Sequence, residues 1–187
     1  MSLAILTPPA QEPISLADAK LFARIATSDD DAVISRLIVA ARQHVETFTR
    51  RALVTQTLRL TTGSLPRSQR LILPRPPVQA VLTVGLRDAA GTLAPFAATD
   101  FAADLAAGAI TLSRRPVGLG AAGVQLQIDY RAGFGEPAAV PEAIRQAILL
   151  LVAGWTEARG ALPGEGAPQG PPPAVASLLA PWRVLDL

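Results

Sequence analysis

Few residues of this chain have types and spacings that could do chemistry. Any acid–base or nucleophilic centre would have to use the single histidine, His44, which lies beside the polar residues Gln43 and Glu46 and has no G-x-S-x-G sequence to support it. The acidic run 29–31 could supply metal ligands, but helix capping explains it without ligands converging from elsewhere. The chain has no cysteine, which excludes disulfides and thiolate metal sites. We therefore predict no catalytic residue, no metal site and no cofactor.

Two further motifs suggest nucleotide or nucleic-acid binding. The stretch GLGAAG at 118–123 superficially resembles a dinucleotide fingerprint, but a predicted strand follows it where a helix would be required, so we interpret it as a loop. The pairs Arg50–Arg51 and Arg114–Arg115 are the only clusters among 17 basic residues, which face 15 acidic ones. A nucleic-acid binder usually carries a dense basic stripe, and we interpret these pairs as solvated surface. A small nucleic-acid-binding module remains the rival hypothesis.

Length and composition indicate a folded globular chain. Its 187 residues are 50% hydrophobic and only 17% charged, which is enough for one domain with a core. No uninterrupted apolar run approaches the length of about 18 residues that a membrane span needs. The first residues lack the basic start of a signal peptide, and we expect an intracellular origin.

A long amphipathic helix is predicted at 141–159. Pro141 suits the first helical position, Arg159 suits the last turn, and Gly160 suits a left-handed cap. Apolar residues recur at helical spacing and form one continuous face. They are Ile144, Ala147, Ile148, Leu151, Val152 and Trp155.

Two shorter helices are predicted within 15–50, after an extended arm at 1–13. Ser15 is a candidate N-cap for a helix at 16–25, with Asp18 three residues on. The acidic run 29–31 starts the second helix, which keeps its spacing to about Arg50. Its predicted apolar face is Val33, Ile34, Leu37, Ile38, Ala41, Val45 and Phe48.

About six strands are predicted within 53–131. The clearest is at 124–130, where Val124, Leu126, Ile128 and Tyr130 alternate with polar residues. A half-buried strand at 78–86 should place its even-numbered residues on the apolar face. These elements predict an α+β fold. We expect one domain at 1–160, containing helices at 15–50, strands at 53–131 and the helix at 141–159.

Residues 161–187 are predicted to form a flexible linker and a tail. The linker ALPGEGAPQGPPP is rich in proline and glycine and cannot bury much surface. Beyond it, apolar residues reappear at helical spacing, with Pro181 limiting the helix. This tail either folds back on its own domain or binds a partner, and the sequence leaves both alternatives open.

Several short segments keep a characteristic order along nearly the whole chain. They are Pro13–Lys20, Asp30–Asp31 with Ile34 and Leu37–Ile38, Ala40–Ala41, Glu46, Thr49, Gln56–Thr57, Leu73–Val78, Asp129–Gly135, Val140–Ile144, Trp155–Arg159 and Leu178–Arg183. Each alone is a cap, a turn or a core pattern. Their joint order resembles the head–tail connector (adaptor) proteins of long-tailed phages, a family that also occurs in prophages and gene transfer agents.

The resemblance implies a non-enzymatic ring subunit in the neck of a virion or phage-like particle, made in the host cytoplasm. Such a ring joins the portal protein to stopper or tail proteins. It is expected to be a dodecamer, because the portal is twelvefold symmetric. DNA passes through its channel without specific binding, and no membrane is involved. A tail-completion or stopper protein is the alternative within this class.

The binding site implied by this function is the tail. We predict that it docks onto the portal or a neighbouring subunit, with Trp182 as the anchor, because tryptophan and arginine dominate binding hot spots. The predicted docking residues are Val175, Leu178, Leu179, Trp182, Arg183 and Leu185.

Overall fold

The computed structural model describes residues 1–158 and 171–185, which contain four α-helices and eight β-strands. The predicted α+β class is confirmed, and all pairs between strands are antiparallel. The helices are α1 (Leu16–Phe22), α2 (Asp31–Thr49), α3 (Glu142–Glu157) and α4 (Pro173–Leu179). The strands are β1 (Ser2–Thr7), β2 (Gln56–Thr62), β3 (Arg70–Ile72), β4 (Val78–Arg87), β5 (Leu93–Pro95), β6 (Phe101–Asp104), β7 (Ala109–Leu112) and β8 (Gln125–Ala132).

The chain divides into two compact units, each built from separated segments. The sheet unit comprises Met1–Ala10 and Thr55–Phe134, and the helical unit comprises Gln11–Val54 and Gly135–Leu187. The described part of the predicted tail belongs to the helical unit, so this division differs from the boundary drawn at residue 160. The predicted helix end at Arg159 and Gly160, and most of the predicted linker, lie outside the described residues.

The sheet unit contains two sheets. A five-stranded sheet has the order β1-β2-β8-β4-β5, and a three-stranded sheet has the order β3-β7-β6. The alternation predicted for β8 is confirmed in part: Leu126, Ile128 and Tyr130 are fully buried, but Val124 is half-buried and Gln127 of the opposite face is buried too. Leu58 and Leu60 of β2 lie opposite Tyr130 and Ile128 on the same face and are fully buried too. These side chains form the apolar face of the larger sheet.

Two strand predictions were wrong. The arm predicted at 1–13 contains β1, which pairs with β2. As an exposed edge strand of mostly apolar residues, β1 shows no alternation that sequence analysis could detect. In β4, Leu82 is 46% exposed, although it was predicted to face the core. The pairing with β8 shifts between Val81 and Thr83, so Leu82 bulges out and the alternation changes phase.

Helix ends follow local sequence closely. The predicted cap of α1 is confirmed, because the Ser15 hydroxyl accepts a hydrogen bond from the Asp18 amide at 3.0 Å. The helix ends three residues earlier than predicted, since Arg24 has a left-handed φ of 56°. There the Ile25 amide donates to the Lys20 carbonyl in a Schellman motif. Pro141 precedes α3 as its N-cap, one residue from the predicted position.

The core of the helical unit is formed mainly by α2 and α3, which pack together. Five of the six residues predicted for the α3 face are buried, and Trp155 is half-buried. On α2 the predicted face was only partly right, since Val33 is 40% exposed. Two charged residues that were not predicted to face inward, Arg42 and Glu46, are buried there instead. No helix in the described ranges combines the length and apolar character that crossing a membrane requires.

Candidate docking surface

The tail begins as helix α4, which packs against α3 within the helical unit. Val175 and Leu179, two of the predicted docking residues, are 1% and 0% exposed. Burying such side chains contributes roughly 1.5–3 kcal/mol each, so both belong to the core of this unit. In this conformation neither side chain is available to a partner. The sequence left two alternatives for the tail, folding back on its own domain or binding a partner. Val175 and Leu179 fold back on their own chain.

Beyond α4, the chain is fastened to the C-terminal end of α2. The Val184 amide donates a hydrogen bond to the Thr49 carbonyl at 2.9 Å, and the Arg51 Nε donates to the Trp182 carbonyl at 2.6 Å. The last four carbonyls of a helix have no partner within the helix, so Val184 satisfies one of them. The Arg183 guanidinium lies 4.9 Å from the centre of the Phe48 ring, within cation–π range.

The remaining predicted docking residues stay accessible. Leu178 and Trp182 are half-buried, Arg183 is exposed, and Leu185 is 69% exposed. We call Trp182, Arg183 and Leu185 the tail surface. It combines an aromatic, a cationic and an aliphatic side chain on a backbone that is hydrogen-bonded in place. Of the six predicted docking residues, Val175 and Leu179 are therefore buried and hold α4 on α3, and the other four are accessible.

A buried ion cluster, missed by sequence analysis, fixes the start of the helical unit. Arg42 of α2 donates from Nε to Glu12 at 2.7 Å and from Nη1 to Glu46 at 3.0 Å, and its side chain is 5% exposed. The other oxygen of Glu46 accepts a hydrogen bond from the Leu53 amide at 3.0 Å. Burial opposes the charge of Arg42, but its hydrogen bonds and proximity to the two carboxylates raise its pKa. Only the spacing of four residues between Arg42 and Glu46 could have indicated this cluster.

A shallow groove of 520 Å³ lies beside that cluster, walled by residues 11–16 together with Ser35 and Arg145. Several of its polar side chains already have partners within the chain. Ser15 bonds Asp18, and Arg145 donates to the Pro13 carbonyl at 3.3 Å and to Glu142 at 2.8 Å. These hydrogen bonds cap α1 and link α3 to the segment that precedes α1, which accounts for the groove's side chains by structural contacts.

The other residues considered for chemistry have structural neighbours. Asp31 forms an ion pair with Lys20 at 2.6 Å. The His44 ring stands edge-on to Trp155, with ring centres 6.1 Å apart. Within residues 1–158 and 171–185, no three His, Cys, Asp or Glu residues cluster closely enough to hold a metal ion. Gly118 and Gly120 adopt positive φ in a loop that leads into strand β8, as expected for a turn.

The two arginine pairs lie in different units. Arg51 is occupied with the Trp182 carbonyl, while Arg115 donates to the Leu65 carbonyl at 3.3 Å. Arg114 is 83% exposed and lies 3.9 Å from Asp100. Arg51 and Arg115 therefore each donate to a backbone carbonyl of their own unit.

The described residues define a small α+β protein of four helices and two antiparallel sheets. The sequence profile of the head completion proteins matches residues 12–162. The chain belongs to this family. No curated protein matches its sequence.

Solved structures of gene transfer agent (GTA) particles contain chains that resemble this one along its whole length. One, from the neck of an empty GTA particle computed with C6 symmetry, is 29% identical with a TM-score of 0.80. Another, from the virion of a native GTA particle, is 28% identical with a TM-score of 0.79. A third, from the neck of a native GTA particle computed with C12 symmetry, is 28% identical with a TM-score of 0.70. Each match covers 100% of this chain and 97% of the other.

Proposed function

We propose that this protein is a structural subunit of the neck of a tailed virion or a gene transfer agent particle, where copies form a ring between head and tail. The observation that carries this proposal is the match, over 100% of this chain and 97% of the other, to a chain in a GTA neck. Membership of the head completion protein family supports it independently. The role requires no catalysis, cofactor or metal, and the subunit would be made in the host cytoplasm before assembly.

The ring is expected to contain twelve copies and to lie against the portal protein. The resemblance to a chain in a neck computed with C12 symmetry supports this number. A ring needs head-to-tail contacts between two different surfaces of each copy. DNA would pass through the central channel, and the near-balance of 17 basic and 15 acidic residues suits a channel that must not retain phosphates.

The tail surface is the proposed contact with the portal or a neighbouring subunit. A partly exposed tryptophan next to an arginine is a typical binding hot spot, and the hydrogen bonds from Arg51 and Val184 hold its backbone in place before binding. Val175 and Leu179 contribute indirectly, by holding α4 on α3. Truncating Trp182 in a hot spot would weaken binding by about 2 kcal/mol or more.

Electron microscopy of the full chain mixed with its cognate portal protein tests the proposal. We expect a ring of copies stacked on the portal. The double variant Arg183→Glu, Leu185→Lys should lose portal binding while staying folded, and the matched variant Arg36→Glu, Val117→Lys should retain it, because those residues are exposed elsewhere.

Three outcomes would overturn parts of the proposal. A monomer that ignores the portal would contradict the neck role. Attachment only beneath another ring would identify a stopper or tail-completion protein. Tight binding to duplex DNA that weakens steeply with salt would support the nucleic-acid-binding rival.

A further inference from the structure

The edge strand β1 is unusually open for a sheet edge. It is the end strand of the five-stranded sheet, and no strand in the described ranges lies beyond it. Five of its six residues are exposed, and Ile5 and Leu6 are 46% and 43% exposed. Such a strand presents unpaired backbone N–H and C=O groups together with apolar side chains.

Natural proteins protect sheet edges with charges, prolines or very short strands. The other three end strands of this unit have such protection. β5 has only three residues and ends in Pro95, β3 begins with Arg70, and β6 ends with Asp104. In contrast, β1 has six residues and neither a charged side chain nor a proline, and the first charged side chain of the sequence is that of Glu12. Only the pairing irregularity at Leu6 interrupts it, which leaves Ser2–Ile5 regular.

We propose that the open edge of β1 is bound by another copy of this chain, by strand addition in the ring. This inference rests on the proposed function. Strand addition uses main-chain hydrogen bonds for affinity and alternate side chains for specificity. Here Leu3 and Ile5 would supply the side chains, since they extend the apolar face that Leu60 and Leu58 form on β2.

A second copy fits this edge better than the other neighbours of a neck protein. DNA is a poor occupant, because phosphate binding needs basic residues and the segment 1–11 has none. A cyclic ring of more than two copies requires each copy to present two different surfaces. The open edge of β1 is one of them, and β3, β5 and β6 are candidates for the other, because the charge or proline of each stands at one end of the strand and leaves its other positions able to pair.

Charge substitution on the edge is the first test, with portal-bound rings counted by electron microscopy. Ile5→Lys should abolish the ring, whereas Val117→Lys should leave it intact, because Val117 is 95% exposed in the loop between β7 and β8. Full rings formed by Ile5→Lys would overturn the inference. Portal binding as isolated copies would support it. If Ile5→Lys forms rings normally but these rings fail to bind the portal, the portal and not a second copy occupies the edge of β1, and the inference is overturned.

Cysteine crosslinking keeps the inference testable if Ile5→Lys fails to fold, because the natural chain has no cysteine. Ala4→Cys would be combined in turn with Ile72→Cys on β3, Ala94→Cys on β5 or Ala102→Cys on β6, all exposed positions. A short bismaleimide bridges the separation of about 5–8 Å between opposite and diagonal positions of paired strands.

The crosslinking is read in variants whose rings assemble as in the wild type. Head-to-tail pairing predicts a ladder of covalent multimers for one of the three double variants. It predicts no multimers for any single variant. A covalent dimer of Ala4→Cys alone would overturn the inference, because symmetric β1–β1 pairing does not close a twelvefold ring. So would rings in which none of the three pairs crosslinks. If the unsubstituted chain forms no ring on the portal, the proposed function itself fails, which is a separate result.

Discussion

The Nε of Arg51 donates a hydrogen bond of 2.6 Å to the backbone carbonyl of Trp182, a residue 131 positions further along the chain. Together with the bond from the Val184 amide to the Thr49 carbonyl, it joins the tail to the end of α2. The tail surface is therefore built on a fixed backbone. Burial lowers the pKa of Arg51, but a guanidinium stays charged at any physiological pH.

Replacing Arg51 should loosen the tail. Arg51→Ala removes a charged donor from a partly buried carbonyl, and we expect a loss of about 1–3 kcal/mol in the free energy of unfolding. Urea denaturation followed by tryptophan fluorescence measures it, because Trp155 and Trp182 are the only tryptophans and both lie in the helical unit. Arg36→Ala, on the exposed side of α2, is the control and should stay within about 0.5 kcal/mol.

The tail's buried and exposed leucines should behave differently when truncated. Leu179→Ala creates a cavity at a fully buried position and should lower the free energy of unfolding by about 2–5 kcal/mol. Leu185→Ala deletes the same atoms from a side chain that is 69% exposed and should leave stability nearly unchanged. The same fluorescence assay compares them. Equal small effects would show that α4 is not part of the folded core.

The buried ion cluster should lose stability when one carboxylate oxygen of Glu46 is replaced by an amide nitrogen. In Glu46→Gln, an amide must face either Arg42 or the Leu53 amide, and both are donors. We expect a loss of about 3 kcal/mol or more, as for other buried pairs with one partner removed. Glu142→Gln breaks the ion pair with Arg145 at a side chain that is 74% exposed, and should cost less than about 1 kcal/mol. A comparable cost for both variants would contradict the structural role of the cluster.

Tyr130 should resist ionisation until the sheet unit unfolds. Burial raises the pKa of its hydroxyl, which donates to the Pro74 carbonyl at 2.7 Å. A raised folded pKa contributes stability that is complete below the unfolded value of about 10 and is lost as pH rises from there toward the folded pKa.

Absorbance at 295 nm follows tyrosinate formation without ambiguity, because Tyr130 is the only tyrosine in the chain. We expect no signal near pH 10 in the native protein, but a normal titration in urea. In Tyr130→Phe, the loss of stability above pH 10 should be shallower. A native titration near pH 10 would contradict the buried hydroxyl.

Helices and strands with one buried face could be predicted because apolar residues recur in their own sequence at the spacing of a helix or a strand. Leu126, Ile128 and Tyr130 are buried as their alternation predicts, and the apolar spacing of α3 identifies its buried face. Features that depend on partners distant in sequence could not be predicted in this way. The inward-facing Arg42 depends on Glu12, 30 positions away. The bulge at Leu82 appears only through the pairing of β4 with β8.

The tail shows the same limit at the candidate site. Helical spacing placed Val175 and Leu179 on one apolar face, but spacing does not say which surface receives that face. That surface is α3 of the same chain. The residues of the tail surface, Trp182, Arg183 and Leu185, have no period of their own, and their proposed role depends on a partner.

The order of segments in the helical unit has a consequence for synthesis. Its buried residues run from Ile14 to Leu179, and the whole stretch Thr55–Phe134 of the sheet unit is translated in between. At about 5–20 residues per second, α1 and α2 leave the ribosome several seconds before α3 and α4 can cover them. During that interval the apolar side of α2 lacks the α3 surface that packs against it in the folded unit, so its burial has to wait for the C-terminal part of the chain.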